Sequence, residues 1–215
     1  MTHTLHRHGS PESLSNDYPM IGMVVRKVDL QDDESKARAL GKLKQIGDVY
    51  KSHEPVVIGS PYVPGTTNHG YSYEEIRERL KPNGVVMGTF DSRQKLKAVL
   101  ADLKEQEIGL SITVSGLIDQ VFGVCDEVGL QPHTVSYSLG VWGKRNLLPR
   151  TELLEITTMC GHAMTSANLV KEAIEEVRSG AKTPEQAALK LAQPCVCGCF
   201  NTERAATLLA AAAKE

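Results

Sequence analysis

The residues best suited to chemistry in this sequence are cysteines near its C-terminal end. Cys195, Cys197 and Cys199 lie within five residues, and Cys160 lies two residues before His162. The polar, histidine-rich N-terminal residues lack the apolar core of a signal peptide, which predicts a cytoplasmic location, where thiols stay reduced. Reduced thiols clustered in this way are typical of metal ligands. We therefore expect the four cysteines to bind one metal centre.

Both cysteine groups lie just before stretches that hydrophobic spacing predicts to be helices, residues 166–178 and 202–213. The N-terminus of a helix carries partial positive charge and unpaired amide groups. Both features lower the pKa of a thiol and supply hydrogen bonds to its sulfur. The positions of the cysteines, and not only their number, therefore favour thiolate ligands.

The spacing of the cysteines bears on which metal they bind. In an extended chain, residues i and i+2 lie roughly 6.6 Å apart, whereas two thiolates on one tetrahedral zinc ion need sulfurs only roughly 3.8 Å apart. The thiolates of an iron–sulfur cluster lie farther apart because each usually binds a different iron. The C-x-C spacing thus favours a [4Fe–4S] cluster. Zinc is the alternative, since a turn at Gly198 would bring the thiolates together.

A [4Fe–4S] cluster held by three cysteines has one iron without a protein ligand. Such an iron is a Lewis acid that can bind a hydroxyl, carboxylate or sulfur of a substrate. We therefore expect an iron–sulfur enzyme that performs non-redox lyase, hydratase or desulfuration chemistry on a small anionic or sulfur-containing metabolite. The expected ligands are Cys160, Cys195 and Cys197, with Cys199 replacing or joining one of them.

Three histidines and one arginine are candidates for catalysis beside the metal. His162 lies close to Cys160 in sequence, and His6, Arg7 and His8 lie together near the N-terminus. Histidine exchanges protons near neutral pH, and the arginine fork binds carboxylate or phosphate. We expect a histidine to act as acid and base and Arg7 to orient an anion, with the N-terminal arm folded over the metal site.

Two other functions fit the same residues. Zinc, bound by the cysteines alone or together with His162, would pin the C-terminal helices to the rest of the chain and make the protein a zinc-stabilised binding or regulatory module. A cluster with four cysteine ligands would instead suit an iron–sulfur electron-transfer or cluster-carrier protein.

Composition narrows the classes of partner. The 24 basic and 26 acidic side chains nearly balance, and only 5% of residues are aromatic, so nucleic acid is not expected as a partner. No apolar run approaches the roughly 20 residues that a membrane span requires. A small-molecule substrate is expected. Chain length and the apolar residues 205–213 favour a homodimer.

Hydrophobic periodicity predicts the elements that must position the cysteines. Short apolar runs predict five strands, at residues 21–30, 55–60, 84–90, 109–115 and 133–142, with helices between them. Strands that alternate with helices predict an α/β fold with a mixed sheet that contains some parallel pairing.

The same periodicity divides the chain into three parts. Residues 1–18 are expected to form an extended N-terminal arm, and residues 19–145 an α/β domain. Residues 146–215 are expected to form a helical segment that carries the cysteines and packs on that domain. Its three helices are predicted at 166–178, 184–192 and 202–213, the second of them starting at Pro184 after the cap residue Thr183.

Overall fold

The structure, a computed structural model, describes residues 7–61, 63, 65–138 and 140–214. Its helices are α1 (Pro11–Leu14), α2 (Asp33–Ser52), α3 (Tyr73–Glu78), α4 (Arg93–Glu105), α5 (Ile118–Val128), α6 (Thr151–Thr157), α7 (Ala167–Arg178), α8 (Pro184–Ala192) and α9 (Thr202–Ala212). Its strands are β1 (Tyr18–Met23), β2 (Val57–Gly59), β3 (Val85–Phe90) and β4 (Ser111–Val114). Short 3-10 helices span Lys27–Leu30, Thr67–His69 and Arg145–Leu147.

The four strands form one sheet in the order β2-β3-β1-β4, and every neighbouring pair is antiparallel. Helix α2 connects β1 to β2, yet β3 lies between those two strands. Helix α4 likewise connects β3 to β4, with β1 between them. This is the split βαβ arrangement of ferredoxin-like folds.

The predicted α/β class is correct, but the predicted mixed sheet of five strands is wrong. Alternating strands and helices would give parallel neighbours only if each strand paired with the next one along the chain. Here another strand lies between the two strands that each helix connects, and the pairing is antiparallel throughout the described sheet. The first strand also begins earlier than predicted, at Tyr18, and ends at Met23.

The predicted fifth strand, residues 133–142, contains neither helix nor strand at its described positions, and these are exposed. Its apolar residues alternate as in a strand, since Val135 and Tyr137 are two positions apart. A strand, however, needs a paired neighbour and a covered face. At the described positions of this stretch the chain supplies neither.

The sheet lies between two helical layers, each with its own core. Alternate side chains of a strand point to opposite faces. Met20 and Val86 accordingly belong to the core formed with α2 to α5, called here the first core. Ile21 and Met87 belong to the core formed with α6 to α9, called here the second core. The central strands β1 and β3 are therefore buried almost throughout.

Local capping explains where the C-terminal helices begin. The Thr183 side chain accepts a hydrogen bond from the Gln186 amide, with Pro184 in the first turn. Helix α9 packs its apolar face, including Ala205 and Leu209, inside the second core, so that face is used within the chain. Among the helices of the described residues, none combines the length and apolar character that crossing a bilayer demands.

Candidate metal centre

The four candidate cysteines come together where the second core meets the sheet. Cys160 follows α6, and the other three lie in the loop between α8 and α9, called here the cysteine loop (residues 195–199). All four are free thiols, and none is more than 3% exposed. The sulfurs of Cys195 and Cys197 lie 3.7 Å apart. Cys160 and Cys195 lie close enough for each to affect the pKa of the other, and Cys199 likewise affects the pKa of Cys197.

Backbone turns present amide groups to these sulfurs. After α6 the Ala163 amide donates to the Cys160 carbonyl at 2.9 Å. In this turn the amides of Met164 and His162 act to lower the pKa of Cys160. In the cysteine loop the Cys199 amide acts in the same way on Cys195 and Cys197. Amide donors of this kind stabilise sulfur that carries negative charge.

The pKa values of three of these thiols are nevertheless raised, which favours their neutral form. The hydrogen bond with Cys195 and burial raise the pKa of Cys160. The pKa of Cys195 is lowered by Cys160, but Cys197 and burial outweigh this and raise it overall. Cys195 likewise lowers the pKa of Cys197, while Cys199 and burial raise it to about 12. A metal ion that binds here must therefore displace protons.

The cysteine loop is fastened to the sheet and to the loop after β2. The Thr89 hydroxyl, on β3, lies 3.2 Å from the Gly198 carbonyl and 3.3 Å from the Cys199 carbonyl. The Asn68 side-chain amide donates to the Phe200 carbonyl at 3.2 Å. Because these contacts come from elements far away in sequence, the loop has a fixed place on the sheet.

His69 adds a further contact before the cysteine loop. Its Nδ1 accepts from the Thr66 amide at 3.0 Å, so its Nε2 carries the proton that is donated to the Gln193 carbonyl at 2.8 Å. The sequence marks these residues only as a polar loop. Its capping role with Thr66 explains why a histidine stands there.

A buried ionic network holds the N-terminal residues against the same loop. Arg7 Nη2 donates to the Cys199 carbonyl at 2.7 Å, and Arg7 Nη1 lies 2.9 Å from Asp17 Oδ2 without hydrogen-bond alignment. Arg204 Nη1 lies 3.1 Å from the same carboxylate oxygen, and Asn201 Nδ2 donates to Asp17 Oδ1 at 3.2 Å. The Asp17 side chain is fully buried.

The network carries two arginines for one buried carboxylate. Burial lowers the pKa of Arg204, Asp17 raises it, and the charge of Arg7 lowers it again. The half-buried Glu155 also acts on Arg204 and supplies further negative charge. Arg7 Nε is buried and has no hydrogen-bond partner among the residues that the structure describes.

The predicted catalytic residues differ in how they lie relative to the cysteines. The His8 amide donates to the Thr158 hydroxyl at 2.9 Å, which places His8 near the turn that bears Cys160. His162 is exposed, and its backbone amide reaches the Cys160 sulfur. His6 lies outside the described residues. Arg7 reaches the cysteine loop, but its contacts are with protein groups.

Three residues that hold the cysteine loop and the N-terminal residues in place were not predicted from the sequence. Asp17, Thr89 and Arg204 have no motif of their own. Asp17 and Arg204 are 187 residues apart in the chain. Only the cap role of Asn201, whose side chain accepts from the Arg204 amide at 3.0 Å, follows from its place before α9.

A groove of about 500 Å³ lies away from the cysteines. It is lined by Arg26, Val28, Asp29, Gln31, Ser35, Arg38, Ala39, Lys42 and Leu110. Its surface carries cationic side chains, but no thiol lines it. A small-molecule substrate bound there would not touch the cysteine sulfurs.

The arrangement suits thiolate coordination only after rearrangement. In the described part of the chain, no three histidine, cysteine, aspartate or glutamate side chains are arranged to hold a metal ion as they stand. The four thiols form a sequence of neighbours, from Cys160 through Cys195 and Cys197 to Cys199. Rotation of their side chains about Cα–Cβ would be needed to direct them to one point.

Comparison of the chain with protein-family models, with curated proteins and with solved structures finds no match.

Proposed function

We propose that Cys160, Cys195, Cys197 and Cys199 bind one zinc ion, and that the protein is a zinc-stabilised binding or regulatory module. The observation that carries this proposal is the 3.7 Å separation of the Cys195 and Cys197 sulfurs. Two thiolates on a tetrahedral zinc ion lie roughly 3.8 Å apart. The pair thus already has the spacing that one ion requires.

Burial supports a structural role for the ion. A closed zinc site with four protein ligands has no position for a substrate. None of the four thiols is more than 3% exposed, which agrees with a closed site. An ion here would tie the end of α6 to the start of α9 and hold both against β3, through the contact of Thr89 with the cysteine loop.

The second candidate is an enzyme with a [4Fe–4S] cluster whose open iron acts as a Lewis acid. The amide donors to Cys160, Cys195 and Cys197 favour it, because hydrogen bonds to sulfur stabilise and tune clusters. It requires Cys195 and Cys197 to turn apart, since their sulfurs touch at 3.7 Å. His162, which is exposed and lies two residues after Cys160, would then be the candidate acid or base.

Metal analysis separates the two candidates. We expect protein purified without oxygen to be colourless and to contain about one zinc ion per chain. A brown protein with about four irons per chain would establish the second candidate instead. A protein that takes up neither metal, and whose stability does not change with chelator, would contradict both.

The stabilising effect of the ion is also measurable. Free zinc at about 1,000 times its Kd stabilises the folded chain by about 4 kcal/mol. That corresponds to roughly 8–16 °C in Tm for a chain of this size. We expect a chelator to produce this decrease in Tm in the wild type, and Cys195→Ser to prevent stoichiometric zinc binding. Cys125→Ala, in the other core, is the control and should retain zinc.

A further inference from the structure

One stretch of the chain exposes apolar side chains without regular structure. Residues 133–138, called here the exposed segment, are exposed at every position and form neither helix nor strand. Val135 is 43% exposed and Tyr137 60%. These two side chains are two positions apart, so in a strand they would lie on one face. The segment has the pattern of a strand but pairs with no strand in the described part of its own chain.

The sheet, in turn, has an edge with room for another strand. Among the residues that the structure describes, strand β4 pairs only with β1. The Ser115 amide donates to the Pro19 carbonyl at 2.8 Å. Because hydrogen-bonded pairs alternate in an antiparallel ladder, the backbone groups of Ile112 and Val114 must point away from β1. No further strand lies beside them in the described part of the chain.

Connectivity relates the segment to that edge. The segment follows β4 and α5, and only residues 129–132 separate it from the helix. A strand that follows such a helix normally lies beside and parallel to the strand before the helix. On its own chain, however, the segment is exposed on both sides, so it does not cover the β4 edge of its own sheet.

We propose that the exposed segment of one copy pairs as an added strand with β4 of a second copy, and that two copies exchange these segments. The exchange gives the backbone groups of Ile112 and Val114 hydrogen-bond partners. It also places Val135 and Tyr137 beside the Ile112 and Val114 side chains. These two already contact the first core. Strand addition of this kind uses main-chain hydrogen bonds for affinity and side chains for register.

Charge favours a second copy as the partner. Residues 129–150 contain three of the 24 basic side chains and none of the 26 acidic ones. The rest of the chain therefore has 21 basic and 26 acidic side chains, and the basic residues Lys144, Arg145 and Arg150 lie C-terminal to the segment. The body of a second copy attracts this stretch, and two such attractions operate in a reciprocal dimer.

Proline substitution tests the pairing without disturbing the folded chain, because the segment makes no ladder hydrogen bonds in one copy. Proline removes the backbone donor. Neighbouring residues of a strand direct their donors to opposite sides, so either Ser136→Pro or Tyr137→Pro must remove a donor that pairs with β4. Ser136→Ala keeps the donor and is the matched control.

Light scattering on the full chain measures the mass. We expect dimers for the wild type and for Ser136→Ala, and at least a roughly tenfold weaker dimer for one proline variant, equivalent to about 1.4 kcal/mol. Hydrogen exchange should show the Ile112 and Val114 amides protected in the dimer and unprotected in the monomeric variant.

Three results would overturn the exchange. One is a wild type that stays monomeric at the highest concentration it tolerates. Another is a dimer that neither proline substitution weakens. The third is a monomer in which Ile112 is nevertheless protected, because the segment would then lie on its own sheet. None of these measurements depends on the metal bound by the cysteines.

Discussion

Gly198 is the residue at which the cysteine loop and the sheet come closest. Its φ is +90°, and a Cβ atom there would lie 2.9 Å from the Gly59 nitrogen and 3.1 Å from the Gly59 Cα. Both contacts are with backbone, which cannot move aside as a flexible side chain can. Glycine is therefore required at this position by its dihedral angle and also by the available space.

We expect Gly198→Ala to destabilise the protein more than a positive φ alone explains. Backbone strain of this kind costs about 1–3 kcal/mol, and the contact with Gly59 adds to it. Gly143→Ala is the matched control, because Gly143 has a φ of +82° and nothing within 4 Å of its added Cβ. Urea unfolding measures both changes. Equal losses in the free energy of unfolding for the two variants would show that the close contact with Gly59 does not affect stability.

Arg7 is the residue that joins the N-terminal part to the cysteine loop. We expect Arg7→Ala to lower the free energy of unfolding by about 1.5–3 kcal/mol, the range for hydrogen bonds with a charged group. The loss should stay below that of a fully broken buried ion pair, because Arg204 still neutralises Asp17.

The matched control for Arg7→Ala is Arg26→Ala, which removes an exposed ion pair with Asp29 and should change the free energy of unfolding very little. Both variants are compared by urea unfolding. A loss for Arg7→Ala no larger than that for Arg26→Ala would mean that the buried network does not hold the arm.

Glu127 on α5 forms ion pairs with Arg93 and Lys97 on α4. Hydrogen bonds from Arg93 and Lys97 lower the pKa of this carboxyl to about 2 from its ordinary 4.5. A lowered carboxyl pKa contributes stability above pH 4.5, and that contribution is lost as the pH falls through about 2. We expect Glu127→Gln to be slightly less stable than the wild type at pH 7, since the pair is partly exposed.

The difference between Glu127→Gln and the wild type should vanish near pH 2, where the wild-type carboxyl becomes protonated. Urea unfolding at several pH values measures it. Glu105→Gln, an exposed position on α4, is the control. A difference between Glu127→Gln and the wild type that did not change with pH would assign the effect to packing instead of to charge.

Among the helices and strands, the sequence predicted the features that depend on residues close together in the chain. The helix that starts at Pro184 was predicted from Thr183 and Pro184, because caps act within four residues. Strand order was not predictable in this way, since it depends on which strands meet after the chain has folded back. Residues 133–142 show the same limit, because alternation indicates a strand only when a partner is present.

At the scale of the whole molecule, residue type and spacing identified the four cysteines, and the structure brings them together. The residues that hold the cysteine loop and the N-terminal residues in place could not be predicted from sequence spacing. Thr89 is an ordinary strand residue until the cysteine loop lies on it, and Asp17 gains its role only from two arginines far away in sequence. Contacts over such distances have no local signature.

The contacts of Asp17 with Arg204 also bear on the order of events during synthesis. A ribosome releases the N-terminal elements first, and domains generally fold as units as they emerge. The first helical layer needs only residues up to α5 and can assemble early. Asp17 can pair with its second arginine only after residue 204 has left the exit tunnel. Closure of the second layer thus follows assembly of the first, and the nascent chain exposes one face of its sheet until then.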